Sequence, residues 1–221
     1  ILDFDNLTEE NIYVLDSPIL TNSQFKKFKK FFSKKTKVID CTFDISSSLK
    51  DRIEQIREEA ETSVRQGSTC LILSDQNISN HKASIPSILV VGAVHSHLVK
   101  HGLRGYCSLN VECSDALDTH SFAVLIGVGA TTVNPYLAID SIYQRFEKKL
   151  FGKSDFESCV VKFKKSIDAG LLKIMSKMGI SVISSYRGGC NFEAVGLSRA
   201  IVSDYFPGMS SRISGIGITG I

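Results

Sequence analysis

The sequence predicts an α/β fold built from parallel strand–helix units. Strand-like runs alternate five times with helical patterns along the chain, and this alternation is typical of parallel sheets, whose strands need crossover connections. Most of these runs are apolar, which indicates strands that are covered on both faces. Five strands are too few to close an eight-stranded barrel, so the pattern leaves an open sheet and an incomplete barrel as alternatives.

The chain has the size and composition of one large globular domain. It contains 221 residues, of which 43% are hydrophobic and 22% are charged. We expect a single domain with a helical lead-in over 1–36, an α/β core over 37–205 and an exit segment over 206–221. The chain lacks an initiator methionine and closes on the glycine-rich string SGIGITGI. Both ends suggest a fragment of a longer polypeptide.

An amphipathic helix is predicted in the lead-in. Phe25, Phe28 and Phe32 recur at the spacing of one helical stripe, and Thr21 with Gln24 forms a capping-box start. Seven lysines between positions 26 and 37 fall largely on the other face. Because one basic helix face is weak evidence for a nucleic-acid surface, we expect no nucleic-acid partner.

The elements of the core follow in order along the chain. Strands are predicted at 37–43, 68–75, 106–113, 131–134 and 180–186. Helices are predicted at 48–66, 86–101, 119–127, 135–150 and 154–177, and a last helix is predicted to start within 192–196. The helix boundaries depend on Gly67 and Gly102 as stops, on Asn134 and Pro135 as cap and first turn, and on a capping box at Ser154 and Glu157.

The cysteines and the apolar runs bear on the compartment. The six cysteines are scattered without a CxxC pair, and several lie in or beside apolar runs. We interpret them as buried free thiols of a reducing cytoplasm. We see no signal-peptide pattern, and the longest apolar runs are too short to span a bilayer. The sequence therefore predicts a cytoplasmic protein without a membrane partner.

Three histidines, His95, His97 and His101, lie within seven positions. Residues advance about 100° each around a helix, so His97 and His101 share one face while His95 points almost the opposite way. A zinc site normally needs three protein ligands. Possible third ligands are Glu112, Asp118 and His120. The spacing requires none of them, so we expect no metal site and keep a metal-dependent hydrolase around His97 and His101 as a minor alternative.

The best local candidate for a ligand site is Arg187, Gly188 and Gly189. These residues are predicted to follow a strand and precede a helix, which is the carboxyl edge of a parallel sheet, where ligands bind. Glycine amides, a helix start and an arginine suit a phosphate or a carboxylate. The alternative is that Arg187 pairs with a carboxylate such as Glu193 and only fixes the loop. No serine or cysteine lies in a recognisable catalytic arrangement, so we assign no catalytic residue.

Six strings, which keep their order along the chain, together resemble the central domain of the glutamate synthase large chain. They are SPILTN (17–22), ILSD (72–75) with IP (85–86), VGAVHSHLVKHGLR (91–104), HSFAVLIGVGATTVNPYLA (120–138), GLLKIMSKMGISVISSYRGG (170–189) and FEAVGLS (192–198). The string at 206–218, FPGMSSRISGIGI, resembles the exit of that domain toward an FMN-binding neighbour. The joint occurrence of these strings is far more specific than any single motif above.

The resemblance implies an α/β fold like a rudimentary, incomplete version of the (β/α)8 FMN-type barrel. It implies a parent oxidoreductase that makes glutamate from glutamine and 2-oxoglutarate. In that family an amidotransferase domain releases ammonia, and a synthase domain uses FMN and an iron–sulfur cluster. The catalytic and cofactor residues belong to those flanking domains, so the resemblance implies no catalytic, cofactor or metal residue in this chain.

The role implied by the resemblance is a non-catalytic scaffold that connects the two flanking domains and supports ammonia channelling. Its implied partners are the amidotransferase and FMN synthase domains and, through the parent, a small reductase subunit. The family often has Arg-Gly-Ala-Gln where this chain has RGGCN at 187–191, which weakens a ligand contact from that loop. The alternative function is a stand-alone phosphate- or flavin-binding module that uses Arg187, Gly188 and Gly189.

Overall fold

The computed structural model describes residues 13–221, which form eight strands and eight α-helices. The strands are β1 (Thr36–Asp40), β2 (Thr42–Asp44), β3 (Cys70–Ser74), β4 (Lys82–Ser84), β5 (Ser108–Glu112), β6 (Thr132–Asn134), β7 (Glu193–Leu197) and β8 (Ser210–Ile216). The helices are α1 (Asn22–Phe31), α2 (Leu49–Arg65), α3 (Ser87–Lys100), α4 (Thr119–Gly127), α5 (Tyr136–Glu147), α6 (Phe156–Lys177), α7 (Ile183–Tyr186) and α8 (Arg199–Tyr205). None of the described helices is both long and apolar enough to cross a membrane.

The main sheet has four parallel strands in the order β1–β3–β5–β6. Helices α2, α3 and α4 connect successive strands of this sheet, so the predicted parallel strand–helix units are confirmed. The predicted strand 37–43 is divided at Cys41 into β1 and β2, and β2 pairs with β4 in a small antiparallel ribbon. The ribbon lies beyond the carboxyl ends of β1 and β3.

The two faces of the main sheet carry different sets of helices. Leu71, Leu73 and Leu109 join the large hydrophobic core, which includes residues of α2, α3, α4 and α6. Cys70 and Ile72 alternate with them and face α1, where they form a second cluster with Leu20, Phe25 and Phe28. Helix α1 therefore packs on the face of the sheet opposite the large core, while Val38 on β1 of the same face is 49% exposed.

The start of α1 agrees with the prediction. The Gln24 amide donates a 3.3 Å hydrogen bond to Oγ1 of Thr21, and the Thr21 amide donates a 3.0 Å bond to Oε1 of Gln24. Phe25 and Phe28 are buried, and Phe32 packs partly against the same cluster. The capping box and the phenylalanine stripe are thus both confirmed.

Two other predicted caps are wrong. Asn134 does not cap α5, because its side-chain amide donates instead to the Leu20 carbonyl at 2.9 Å and to Oδ1 of Asn22 at 3.0 Å. Helix α6 is capped by Asp155 rather than Ser154, since Oδ1 of Asp155 accepts the Ser158 amide at 2.8 Å. In both places several capping residues are adjacent, and tertiary contacts decide which one is used.

Residues 180–186 do not form the predicted fifth strand. Residues 183–186 form the one-turn helix α7, and Val182 is 52% exposed. The free edge of β6, where a further strand would pair, carries the segment 18–20 instead. The Leu20 amide donates to the Val133 carbonyl at 2.9 Å, and the Val133 amide donates to the Pro18 carbonyl at 2.8 Å. Because residues 18–20 occupy the free edge of β6, the apolar residues 180–186 do not pair with that strand.

Residues 193–197 form the strand β7 rather than the predicted start of a helix. Strand β7 pairs in parallel with β8 and places Val195 opposite Ile213. Gly196 has a φ of +79°, and a Cβ on Gly215 would overlap the Gly196 backbone, so the close approach of the two strands requires glycine at both positions. Part of the predicted exit segment therefore folds back on the domain.

Tyr186 offers a stability prediction with an unusual sign. Its side chain is 0% exposed, and its hydroxyl has no hydrogen-bond partner among the described residues. Burying an unpaired hydroxyl is unfavourable by about 1–3 kcal/mol. We therefore expect Tyr186→Phe to raise the free energy of unfolding in urea by about 1 kcal/mol. An unchanged or lower value would show that the hydroxyl has a partner in solution.

Candidate functional site

The carboxyl edge of the main sheet, where parallel α/β folds bind ligands, is filled by the chain's own side chains. Glu112 ends β5, and its side chain is 6% exposed. One carboxylate oxygen, Oε1, accepts hydrogen bonds from Nζ of Lys29 at 2.7 Å and from Nε2 of Gln76 at 3.2 Å. The other, Oε2, accepts a bond from the Ser74 hydroxyl at 2.8 Å. This carboxylate is therefore fully engaged without a ligand.

A second buried carboxylate lies at the same edge. Asp75 is 2% exposed, and its Oδ2 accepts from the Ser114 amide at 3.0 Å and from the Ser114 hydroxyl at 2.6 Å, whereas its Oδ1 has no hydrogen-bond partner among the described residues. Burial, together with the negative charge of Asp75, raises the pKa of Tyr136. Tyr136 therefore stays a neutral phenol at physiological pH.

Helix α1 closes the sheet face that leads to this edge. The Asn110 side chain, which is 0% exposed, donates to the Leu71 carbonyl at 3.0 Å and accepts from the Thr132 hydroxyl at 2.8 Å. Lys29 reaches across from α1 to Glu112, and the Lys29 ammonium also lies 4.8 Å from the centre of the Phe25 ring. Polar groups on this face bond to one another, so they are positioned for structure rather than for a ligand.

The loop of Arg187, Gly188 and Gly189 lies at the opposite, amino edge of the sheet, so its predicted position is wrong. Nε of Arg187 donates to the Ala130 carbonyl at 3.1 Å, and the Gly188 amide donates to the Gly127 carbonyl at 2.8 Å. Both acceptors belong to the junction that leads from α4 into β6. The prediction assumed a strand before this loop and a helix after it, whereas the structure has helix α7 before the loop and strand β7 after it.

The predicted ion pair of Arg187 with Glu193 is also absent, since Glu193 lies 3.5 Å from Nε of Arg212. Arg187 lines a cleft of about 560 Å³. Asp16 and Asp168 line the same cleft, and Oδ1 of Asp168 accepts a 2.6 Å hydrogen bond from Ser17.

Arg104 organises the rest of this amino edge. It donates to Nδ1 of His95 at 3.1 Å, to the Cys107 carbonyl at 2.5 Å and to the Gly129 carbonyl at 2.9 Å. Gly129 has a φ of +134°, and any Cβ there would overlap the His95 ring. Burial, with the charges of Arg104 and Arg187, lowers the pKa of His95 to about 4. His95 is therefore a neutral hydrogen-bond acceptor that fixes an arginine.

His95 should make the stability of the fold depend on pH. Its folded pKa of about 4 lies below its ordinary value of 6.5, so the unfolded chain binds the proton more tightly. The stabilisation is complete above pH 6.5 and is lost as the pH falls toward 4. Each pKa unit corresponds to about 1.4 kcal/mol, and partial exposure reduces the total to about 2 kcal/mol. We expect His95→Gln to show a smaller loss than the wild type in urea unfolding over this range.

The three clustered histidines separate as predicted, but they gain a neighbour that the sequence did not indicate. His97 and His101 lie on one face of α3, with ring centres 4.3 Å apart. Nε2 of His97 lies 2.7 Å from Oε2 of Glu61 on α2, and Nδ1 of His101 lies 3.8 Å from the same oxygen. The residues considered as third ligands, Glu112, Asp118 and His120, are not part of this group. Only the packing of α2 on α3 reveals Glu61.

Comparison with known proteins establishes the family. The sequence profile described as "Glutamate synthase central domain" matches residues 2–198. The chain belongs to the glutamate synthase central domain family. The predicted resemblance is thus confirmed over most of the chain.

Glutamate synthases from several organisms contain segments similar to this chain. The chain is 52% identical over 224 residues to the large chain of the NADPH glutamate synthase of Azospirillum brasilense, with 100% of this chain and 15% of that protein covered. It is 42% identical over 210 residues to the corresponding Bacillus subtilis (strain 168) chain, covering 92% and 13%. It is 37% identical over 219 residues to the ferredoxin-dependent glutamate synthase of Pyropia yezoensis, covering 92% and 14%. The chain thus spans only 13–15% of these relatives.

Solved structures show weaker similarity. A mutant flavocytochrome b2 with benzoylformate has a TM-score of 0.48 and 17% identity, covering 76% of this chain and 38% of that chain. A second mutant of that protein, with sulfite bound, has a TM-score of 0.47 and 15% identity, covering 86% and 45%. Similarity at this level carries no functional argument.

The cysteines of this central domain do not fit an iron–sulfur cluster, which requires several converging thiolates. All six are free thiols, and five are buried as predicted, whereas Cys190 is exposed and corrects that prediction. Burial raises the pKa of Cys41 and of Cys113, which keeps both thiols protonated. No three cysteines converge as ligands within the described residues.

Proposed function

We propose that this chain is the central, non-catalytic scaffold of a glutamate synthase large chain, connecting the glutamine amidotransferase domain to the FMN synthase domain. The observation that carries the proposal is the closed carboxyl edge. Lys29 of α1 and Glu112 of β5 form a 2.7 Å ion pair in the position where parallel α/β folds bind their ligands. Membership of the family indicates the parent protein. Because side chains at the carboxyl edge of the sheet bond to one another, the proposal assigns no catalytic step to this chain.

The fold supports an interpretation as an incomplete (β/α)8 FMN-type barrel. Four parallel strands carry helices on one face, and the segment 18–20 extends the sheet beyond β6 by one bridge between Ile19 and Val133. The other face, which would line the barrel interior, is covered by α1. A helix in that position replaces the strands that would complete the barrel.

The parent protein would make glutamate from glutamine and 2-oxoglutarate, with FMN and an iron–sulfur cluster held outside this chain. Its partners here are the amidotransferase and FMN synthase domains of the same polypeptide and, through the parent, a small reductase subunit. We place the protein in the cytoplasm. Relatives named for NADPH and for ferredoxin are both similar to this chain, so the family alone leaves the electron donor open.

A scaffold of this kind acts through rigidity. Ammonia released at one active site must reach the other before it escapes to water, and a loosened wall between the domains would let it leak. The bridge between Ile19 and Val133 ties the lead-in to β6, and both side chains are buried, at 2% and 0% exposure.

The test loosens that attachment in the full-length protein. Val133→Ala removes buried apolar groups and should lower the stability of the domain by about 2 kcal/mol. We expect glutamine hydrolysis to exceed 2-oxoglutarate consumption in this variant, whereas the two match one to one in the wild type. The control is Val161→Ala, which changes a side chain that is 41% exposed and should leave the ratio at one. A ratio of one in Val133→Ala, despite its lower stability, would contradict the proposal.

A further inference from the structure

The group formed by Glu61, His97 and His101 has the composition of a transition-metal site. The ligand atoms of the three residues all lie within 4.8 Å of one another. With metal–nitrogen bonds of about 2.0–2.1 Å, tetrahedral zinc needs ligand atoms roughly 3.4 Å apart. The separations of 2.7 Å and 3.8 Å from Oε2 of Glu61 bracket that value. To bring all three atoms to one ion, the His101 ring must turn away from the His97 carbonyl, which its Nδ1 contacts at 2.8 Å.

The scaffold holds these side chains in place before any ion arrives. His97 and His101 are one turn apart on α3, and Glu61 belongs to α2, which packs on α3 in the main core through residues such as Ile56 and Ala60. Arg65 donates to Oε1 of Glu61 at 2.8 Å, which orients the carboxylate and leaves Oε2 directed at the histidines. Partners of this kind position metal ligands in known sites.

The two helix ends at the group favour a cation there, against the charge of the Arg65 guanidinium, which lies 2.8 Å from Oε1 of Glu61. Helix α2 ends at Arg65 and helix α3 ends at Lys100, so the carboxyl ends of two helices lie at the group, and each carries partial negative charge. The side chains of Glu61, His97 and His101 are 22%, 18% and 34% exposed, so water can reach the remaining coordination positions.

We propose that Glu61, His97 and His101 bind one divalent transition-metal ion of the zinc class, clamping α2 to α3. Two imidazoles and one carboxylate favour Zn²⁺, Ni²⁺ or Cu²⁺ over Mg²⁺ and Ca²⁺, which prefer oxygen ligands. The ion takes the place of the 2.7 Å hydrogen bond between Nε2 of His97 and Oε2 of Glu61, and it displaces the contact between Nδ1 of His101 and the His97 carbonyl, which measures 2.8 Å. This site goes beyond the scaffold role and is independent of it.

The test is a Zn²⁺ titration of the full-length protein in competition with a chromophoric chelator. We expect the wild type to bind one equivalent more than His101→Ala, with micromolar or tighter affinity, and loss of His97 or His101 to weaken this site at least about 10-fold. His81→Ala is the matched control, because His81 is exposed and lies outside the group. Equal stoichiometry in wild type and His101→Ala, or equal loss in His81→Ala, would overturn the proposal.

A local readout separates this site from any other zinc bound by the full-length chain. In hydrogen–deuterium exchange, Zn²⁺ should slow exchange in peptides from the last turns of α2 and α3 in the wild type but not in Glu61→Gln. The glutamine keeps a hydrogen-bond acceptor for His97, so the variant should fold. Equal protection in Glu61→Gln and wild type would place the ion elsewhere and refute the assignment. Failure of the coupling experiment above would leave this result unaffected.

Discussion

Phe122→Ala is expected to lower the free energy of unfolding of the domain by about 3–5 kcal/mol. Phe122 on α4 is 0% exposed and belongs to the main core, where its ring meets Phe163 of α6 edge-on with ring centres 6.4 Å apart. Truncation removes the largest buried ring of α4 and leaves a cavity between α4 and α6 that a close-packed interior fills poorly. Urea unfolding followed by circular dichroism measures the loss.

Phe31→Ala is the matched control for this variant. Phe31 is 44% exposed at the end of α1, so its truncation should reduce stability by about 1 kcal/mol or less. Comparable losses in the two variants would show that the core is not packed between α4 and α6 as described here.

The second large effect is expected from Lys29→Met. The variant leaves Glu112, whose side chain is 6% exposed, without its cationic partner. Breaking a buried ion pair from one side costs about 3–5 kcal/mol. Because the Lys29 side chain is 34% exposed, solvent screens the pair, and we expect a smaller loss in the free energy of unfolding, about 2–3 kcal/mol. Chemical denaturation at pH 7 gives the difference from the wild type.

A double-mutant cycle assigns this loss to the pair. Lys29→Met with Glu112→Gln removes both charges, keeps one oxygen that can accept from Gln76, and places an NH2 group that can donate to the Ser74 hydroxyl oxygen, so it should recover most of the stability. If the double variant is as unstable as the sum of the two single variants, the ion pair does not hold α1 on the sheet.

Local signals predicted the elements that depend on neighbouring residues. The phenylalanine stripe and the box of Thr21 and Gln24 define α1 within one short segment, and α1 forms as expected. Strand β3 is an apolar run between helices, and β5 alternates apolar and polar residues between helices, so their positions were also predictable. These features give the fold class without any knowledge of distant contacts.

Errors occurred where distant segments compete for the same edge. The run 180–186 is apolar enough for a strand, but residues 18–20 already occupy the edge of β6. The strand 193–197 exists because residues 210–216 pair with it. Because a helix precedes the Arg187 loop and a strand follows it, the loop lies at the amino edge of the sheet rather than at the predicted carboxyl edge. The sequence indicates which segments favour a strand, but it does not indicate which segments pair with each other in the sheet.

The same reason explains what was missed at the histidines. Helical spacing placed His97 and His101 on one face, as the structure shows. Glu61 is more than thirty residues away, and nothing in the sequence indicates that α2 lies against that face of α3. Glu112 was considered as a metal ligand because of its type, although it is held by Lys29 at the other end of the sheet. The type of a residue indicates which ligands it could bind, whereas the packing of the helices decides which other side chains lie next to it.

Titration of FMN into the 221-residue chain tests the central claim most directly, namely that this domain has a closed ligand edge and serves as a scaffold. We expect no saturable change in flavin fluorescence and no shift in the melting temperature, with the wild type and Arg187→Ala behaving alike. Saturable binding at low micromolar FMN by the wild type would contradict the account, and binding retained in Arg187→Ala would place the flavin away from the amino edge where Arg187 lies.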